Sequence, residues 1–266
     1  MIRVELRKQA LRPRTYVGLA VMIVIPVIFT LAFKFGSHPQ DVRERDFVVL
    51  AKRSGINMPL AALTAMSAFL LPVVVALFLG ESVSGEAGWG TLRYLLLRPV
   101  ERSRLLAAKL SVGAFLSVLA TFLIAGAGLA AGTLAFGWHP VLTPFFVTFS
   151  PTDALWRLLL STAYVAWSMS GIAAFAFMLS TMTDASVGAV AGGAGLAVVS
   201  EILDGISTLG AIRYGLPTHY WDAWNGLFNS PVETSELARG LLLQIPYVLV
   251  FCGFAWWWFA RKDVLS

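Results

Sequence analysis

The chain has 266 residues, of which 58% are hydrophobic and only 13% charged, against roughly 45–50% and roughly 25% in soluble domains. That balance excludes a soluble globular domain. The net charge of +5 therefore reads as charge flanking membrane helices rather than as a nucleic-acid footprint, and the fold class is an all-α polytopic membrane protein.

In chain order, residues 1–14 form a basic amphipathic segment. Ile2, Leu6 and Ala10 share one helical face and Arg3, Arg7 and Arg14 another. Pro13 ends the segment, which reads either as an elbow helix in the interface plane or as an ordinary positive flank. Six apolar runs follow, at 16–33, 59–79, 110–136, 155–179, 185–203 and 241–260. Each approaches or exceeds the roughly 20 residues needed to cross a bilayer, and none has the polar face of a soluble helix. The first is too long for a cleaved signal peptide and lacks a small-x-small site after it. No soluble domain interrupts the runs, so residues 1–266 make one membrane domain.

The stretches between the runs carry weaker signals. Residues 34–58 are polar, with a short helix expected at 47–51. Residues 137–153 bring Trp138, Phe145, Phe146 and Phe149 to an interfacial belt, with Thr152 or Asp153 as helix cap. Residues 204–240 hold Pro217, suited to a first helical turn, and then Tyr220, Trp224, Leu227 and Phe228 at helical spacing. These predict a short helix with its aromatics at headgroup level. Gly188, Gly192 and Gly195 in the fifth run, and Gly128 and Gly132 in the third, offer smooth faces for helix packing. The last run closes on Trp256-Trp257-Trp258-Phe259 before Arg261 and Lys262, an interfacial ending. Cys252 is the single cysteine, so no intramolecular disulfide can form.

Six spans put both termini, the polar island 85–109 and the turn 180–184 on one side. That side gathers Arg3, Arg7, Lys8, Arg12, Arg14, Arg93, Arg98, Arg102, Arg104, Lys109, Arg261 and Lys262 close to helix ends. The opposite side holds Lys34, Arg43, Arg45, Lys52, Arg53, Arg157, Arg213 and Arg239. The positive-inside rule makes both termini cytoplasmic in a multi-pass plasma-membrane protein.

Candidate chemistry is sparse. Arg157 and Glu201 lie near outer span ends and either pair or snorkel to water. His38, His139 and His219 fall on three outer loops, where nothing in their spacing requires a metal. The chain has no P-loop, no HExxH and no catalytic triad pattern, so it is not expected to be an enzyme or to bind ATP itself.

The island between the second and third runs is the exception. Trp89, Leu92, Leu95 and Leu96 form an apolar stripe beside basic residues, suited to a headgroup layer or to a partner's groove. The pattern Glu86-x-x-x-Gly90-Thr91-Leu92-x-x-Leu95-Leu96-x-x-Pro99-x-x-Arg102, closing on Lys109, resembles the cytoplasmic signature of type-2 ABC permeases. The layout of spans and termini is similar over the whole chain. One departure is Ala87, Gly88 and Trp89, where many members carry charged residues.

The resemblance implies a coupling helix, formed by Glu86, Gly90, Thr91 and the leucines, that docks on a separate ABC ATPase present in two copies. ATP and Mg would be bound by that partner. Gly90 permits close approach, Pro99 stops the helix, and Trp89 is an added docking anchor or seats the helix in the interface. Arg3, Arg7, Lys8, Arg102, Arg104 and Lys109 would meet anionic headgroups. A second permease copy or a paralogue would complete the assembly, with the second and fifth spans lining a path for an apolar or amphipathic exported substrate. Some relatives instead transmit ATP-driven motion for maturation of an extracytoplasmic metalloenzyme, and that is the competing expectation.

Overall fold

The structure, a computed structural model, describes residues 1–36, 54–88, 101–142 and 147–262. Apart from a two-stranded hairpin, the described chain is helical. A short helix α1 (Ile2–Ala10) leads into α2 (Pro13–Phe35), where Pro13 occupies the first turn and needs no backbone donor. Then come α3 (Asn57–Ser67), α4 (Leu70–Gly80), the one-turn α5 (Ser84–Gly88) and the long α6 (Arg102–Phe136). Strands β1 (Val141–Leu142) and β2 (Thr148–Phe149) pair antiparallel, with Val141 opposite Phe149. The chain continues as α7 (Pro151–Ser168), α8 (Ser170–Met182), α9 (Ser186–Asp204), 3₁₀ turns at Ser207–Gly215 and Trp221–Phe228, and α10 (Ser235–Arg261).

Five described helical segments are long and apolar enough to cross a membrane: α2, α6, α7 with α8, α9 and α10. A sixth crossing arises if α3 and α4, bent by 62°, act as one span. The run at 59–79 was expected to be continuous, and Pro72 explains the bend. It has no N–H for the carbonyl four residues back, and its ring crowds that carbonyl. That residue is Ala68, where the helix breaks, and Phe69 takes a non-helical conformation.

The middle of the molecule is built from α3, α4, α6, α7 and α8, while α2, α9 and α10 leave most of their apolar side chains outward. Helix α6 lies against α3 through Gly128 and Gly132, as their spacing predicted. A methyl on Gly132 would sit 2.4 Å from the Gly55 carbonyl oxygen, and one on Gly128 2.8 Å from the Pro59 Cα. The glycines of α9 behave differently from expectation. Gly193 packs on Ala176 and Ala76, and Gly192 on the Leu179 side chain, but Gly188 and Gly195 face open space. Helical rotation puts Gly193, with Ala189 and Ala197, on the inner face.

The α7–α8 segment is interrupted at Met169, and a side chain from another helix satisfies it. The buried Gln244 of α10 accepts from the Gly171 N–H (3.1 Å) and donates to the Pro217 carbonyl (2.8 Å). Replacing it by leucine strands two buried backbone groups, each worth roughly 1–3 kcal/mol. Gln244→Leu is therefore expected to lower the melting temperature in detergent clearly, whereas Gln244→Glu keeps an acceptor for Gly171 and lowers it less.

The end of the molecule opposite the termini corrects two expectations and decides one open alternative. Trp221, Trp224 and Phe228 do not face outward but are buried in the core, with Tyr220 and Leu227 packed against it. The Trp221 indole donates to the Ser168 carbonyl at the end of α7 (3.2 Å). Arg157 does not pair with Glu201. It stacks over Phe149, 4.1 Å from the ring centroid, and donates to the Leu227 carbonyl. The cap of α7 is Ser150, whose hydroxyl accepts from the Asp153 N–H, rather than Thr152 or Asp153. His219 pairs with Asp204, which also accepts from Arg213 at 3.4 Å. His139 supplies its backbone carbonyl to Ser54. Among the described residues no group of three or more His, Cys, Asp or Glu is placed to hold a metal ion. His38, Phe145, Phe146 and the helix expected at 47–51 lie outside the described residues.

Candidate coupling site at the basic end

The end that carries both termini is organised around two fully buried charges. Helix α4 stops at Gly80, and the turn 81–83 leads into α5. The Ser180 hydroxyl of α8 accepts from the Val83 and Ser84 N–H groups (2.9 and 3.0 Å), and the Ser84 hydroxyl donates back to the Gly80 carbonyl (2.6 Å). These bonds satisfy the first donors of α5 from outside, which suits a helix too short to stand alone. They also fix the direction in which α5 presents Glu86.

Glu86 points into the protein. Its side chain is 1% exposed and lies 2.7 Å from the Nζ of Lys109, which is 0% exposed. The other two Lys109 donors go to the Ser82 carbonyl (2.7 Å) and the Glu5 carboxylate (3.3 Å), so the ammonium is fully used. Lys8 also pairs with Glu86, and Arg12 stands 3.9 Å away. Beside them Arg14 pairs with Glu81. One cluster thus ties α1, the end of α4, α5 and the start of α6 together.

The cluster explains the unusual polarity of α1. Its buried residues are Glu5 and Gln9, one turn apart and hydrogen-bonded at 3.4 Å, while Ile2, Val4 and Leu6 are exposed. The polar face turns inward because the receiving surface is charged. The apolar face is left to the surroundings, as a helix lying in a membrane interface requires.

Burial and charge act in opposite senses on the two acids. For Glu86, burial alone would raise the carboxyl pKa, but the Lys109 and Lys8 ammoniums together outweigh it and hold it below the ordinary range. For Glu81, burial prevails over Arg14 and Arg12, and the carboxyl is pushed up.

The predicted site residues divide accordingly. Lys109 is not at the headgroups, because it is the buried centre of the cluster. Glu86 is buried with its carboxylate on Lys109, and Lys8 is drawn into the same pairing. Arg102 is half-buried and has partners within the protein. Its guanidinium donates to the carbonyls of Phe259, Ala260 and Lys262 (3.2, 3.2 and 2.9 Å), closing the C-terminus of α10, where a cation is favoured. Arg3 and Arg7 are exposed, as is Arg104, which pairs with Glu101 at 2.9 Å. Trp89, Gly90, Thr91, Leu92, Leu95, Leu96 and Pro99 lie outside the described residues. Sequence reasoning missed Glu5, Glu81 and Ser180. The available signal was Glu5 itself, the only acid in the basic segment 1–14.

A family model described as "Protein of unknown function (DUF2705)" matches residues 19–265. The chain belongs to the DUF2705 family. No curated protein matches it. The DUF2705 match takes in Glu81, Glu86, Lys109 and Ser180 but starts after α1, so Glu5, Lys8 and Arg12 join the cluster from outside the matched region.

Proposed function

We propose that this chain is the membrane-spanning permease subunit of an ABC exporter. Two copies of a separate ATPase, which bind ATP and Mg, dock on the island that follows Glu86. The observation that carries this reading is the clamp on Glu86. The head of the island resembling a coupling helix is bonded to α1, to the end of the second span and to the start of the third. A push on the island from an ATPase reaches all three together, as a rigid body rather than a loose loop.

In this reading there are six spans, with α3 and α4 forming the bent second one, and both termini are cytoplasmic. A second permease copy packs against the outward face of α9. There Gly188 and Gly195 meet nothing within 4 Å, and Val199 and Ile202 are exposed. The substrate is apolar or amphipathic, because the crossing helices offer few charges to hold a polar one.

The test is co-purification of the tagged chain with a candidate ATPase. Leu92→Asp is expected to abolish capture while leaving the elution profile of the isolated chain unchanged, since it spoils an apolar docking knob. Capture of the same ATPase at wild-type level by Leu92→Asp defeats the proposal.

A further inference from the structure

Between α6, the α7–α8 pair and α10 lies a cavity of about 400 Å³ that opens sideways through the exposed side chains of Val118, Phe122 and Trp167. Its size falls within the roughly 300–1,000 Å³ of small-ligand sites. Leu79 of α4 apart, the walls belong to helices long and apolar enough to cross a membrane. Whatever reaches the opening must therefore come through hydrocarbon. Along α6 the lining runs from Leu110 to Phe122, twelve helical steps or roughly 18 Å. One leaflet's hydrocarbon is roughly 15 Å deep, so the cavity matches an extended chain in length.

Apart from the Cys252 thiol and the Trp167 indole, which donates to the Leu241 carbonyl at 3.0 Å, the polar groups of the lining are two hydroxyls. Ser117 donates to the Gly113 carbonyl at 2.9 Å and is satisfied. Ser170 stands at the interruption of the α7–α8 segment, and its Oγ is shielded and without a hydrogen-bond partner. An unpaired hydroxyl inside a membrane protein is costly. Ser170 is one of the residues that wall the cavity, and a change of its χ1 rotamer is the movement that a ligand there would call on.

We infer that the cavity binds a lipid-soluble molecule from the surrounding bilayer, an extended hydrocarbon bearing one acceptor oxygen, ketone or ester, which accepts from Ser170. Calling that molecule the exported substrate rests on the permease reading; its binding does not.

The experiment uses the full chain in phosphatidylcholine nanodiscs, without an ATPase. Two photoactivatable C18 probes are compared, one with a mid-chain ketone and one without, and adducts are mapped by mass spectrometry. Cys252, the single thiol and a lining residue, provides a second readout through its protection from a membrane-permeant maleimide.

The expected result is labelling concentrated on the cavity, about fivefold stronger for the ketone probe, which is the ratio that ~0.95 kcal/mol for one hydrogen bond gives. Ser170→Ala is expected to equalise the probes. Ala114→Phe, which fills the cavity from α6, is expected to remove both adducts and the protection of Cys252. Labelling spread evenly over α2, α9 and the cavity, and unchanged in Ala114→Phe, would overturn the site. Equal labelling by both probes in the wild type overturns the role of Ser170. Because no ATPase is present, failure of the permease reading shows only in the co-purification test.

Discussion

Lys109→Met is expected to cost about 3–5 kcal/mol of unfolding free energy, the range for removing one partner of a buried ion pair. Methionine fills a similar volume, so the loss reports charge rather than a hole. It takes the Lys109 ammonium away from Glu86, from Glu5 and from the Ser82 carbonyl together. The double variant Lys109→Met with Glu86→Gln removes a stranded charge and is expected to recover part of the loss. Thermal unfolding in detergent, followed by size-exclusion chromatography, measures both. A single-variant loss below ~1 kcal/mol, or losses that simply add in the double variant, would show that the pair does not hold this end together.

The same cluster gives a signed dependence on pH. Glu86 has a lowered pKa in the folded chain, so its stabilisation is complete above the ordinary glutamate value of about 4.3 and is lost as pH falls through the lowered one. Glu81 has a raised pKa. Its contribution is present below the ordinary value and is lost as pH rises through the raised one. Glu86→Gln is thus expected to flatten the acid side of a melting-temperature profile, and Glu81→Gln the side just above it.

Gly132→Leu is expected to be the most damaging single change in the membrane core. Its Cβ alone would lie 2.4 Å from the Gly55 carbonyl oxygen and 2.7 Å from the Met58 Cβ. The first obstacle is backbone, which cannot swing aside as a side chain can. The cost is expected to exceed the usual overpacking range of roughly 1–3 kcal/mol, and little monodisperse protein should be recovered. Gly126→Leu on the same helix is the control, because nothing lies within 4 Å of its added Cβ. Recovery and melting temperature near wild type for Gly132→Leu would refute the close approach of α6 and α3.

What could be read from the sequence follows from the range of each signal. Apolar runs are local, so the crossing helices were found to within a few residues, apart from the longer N-terminal ends of α6 and α10. The four-residue glycine interval marked the close approach at Gly128 and Gly132, but the same interval at Gly188 and Gly192 did not, since Gly188 faces open space. The bend in the second run was written in Pro72, but a proline in an apolar stretch can also be absorbed, as Pro26 in α2 and Pro246 in α10 are. Trp224 and Phe228 were misplaced because belt aromatics and core aromatics share one composition. Lys109 was misread because a lysine at the head of an apolar run looks like any positive flank. Its partners Ser82 and Glu5 are 27 and 104 residues distant, and no local pattern announces them.

That separation bears on how the chain is made. Residues 1–14 leave the ribosome well before residue 109, and the inward face of α1 has no complete partner until Lys109 has been synthesised. Until then Glu5 and Gln9 have only each other and their surroundings to bond, and the side chains of Ile2 and Leu6 stay exposed. Closing the basic end is therefore a late event in assembly, set by the arrival of one lysine.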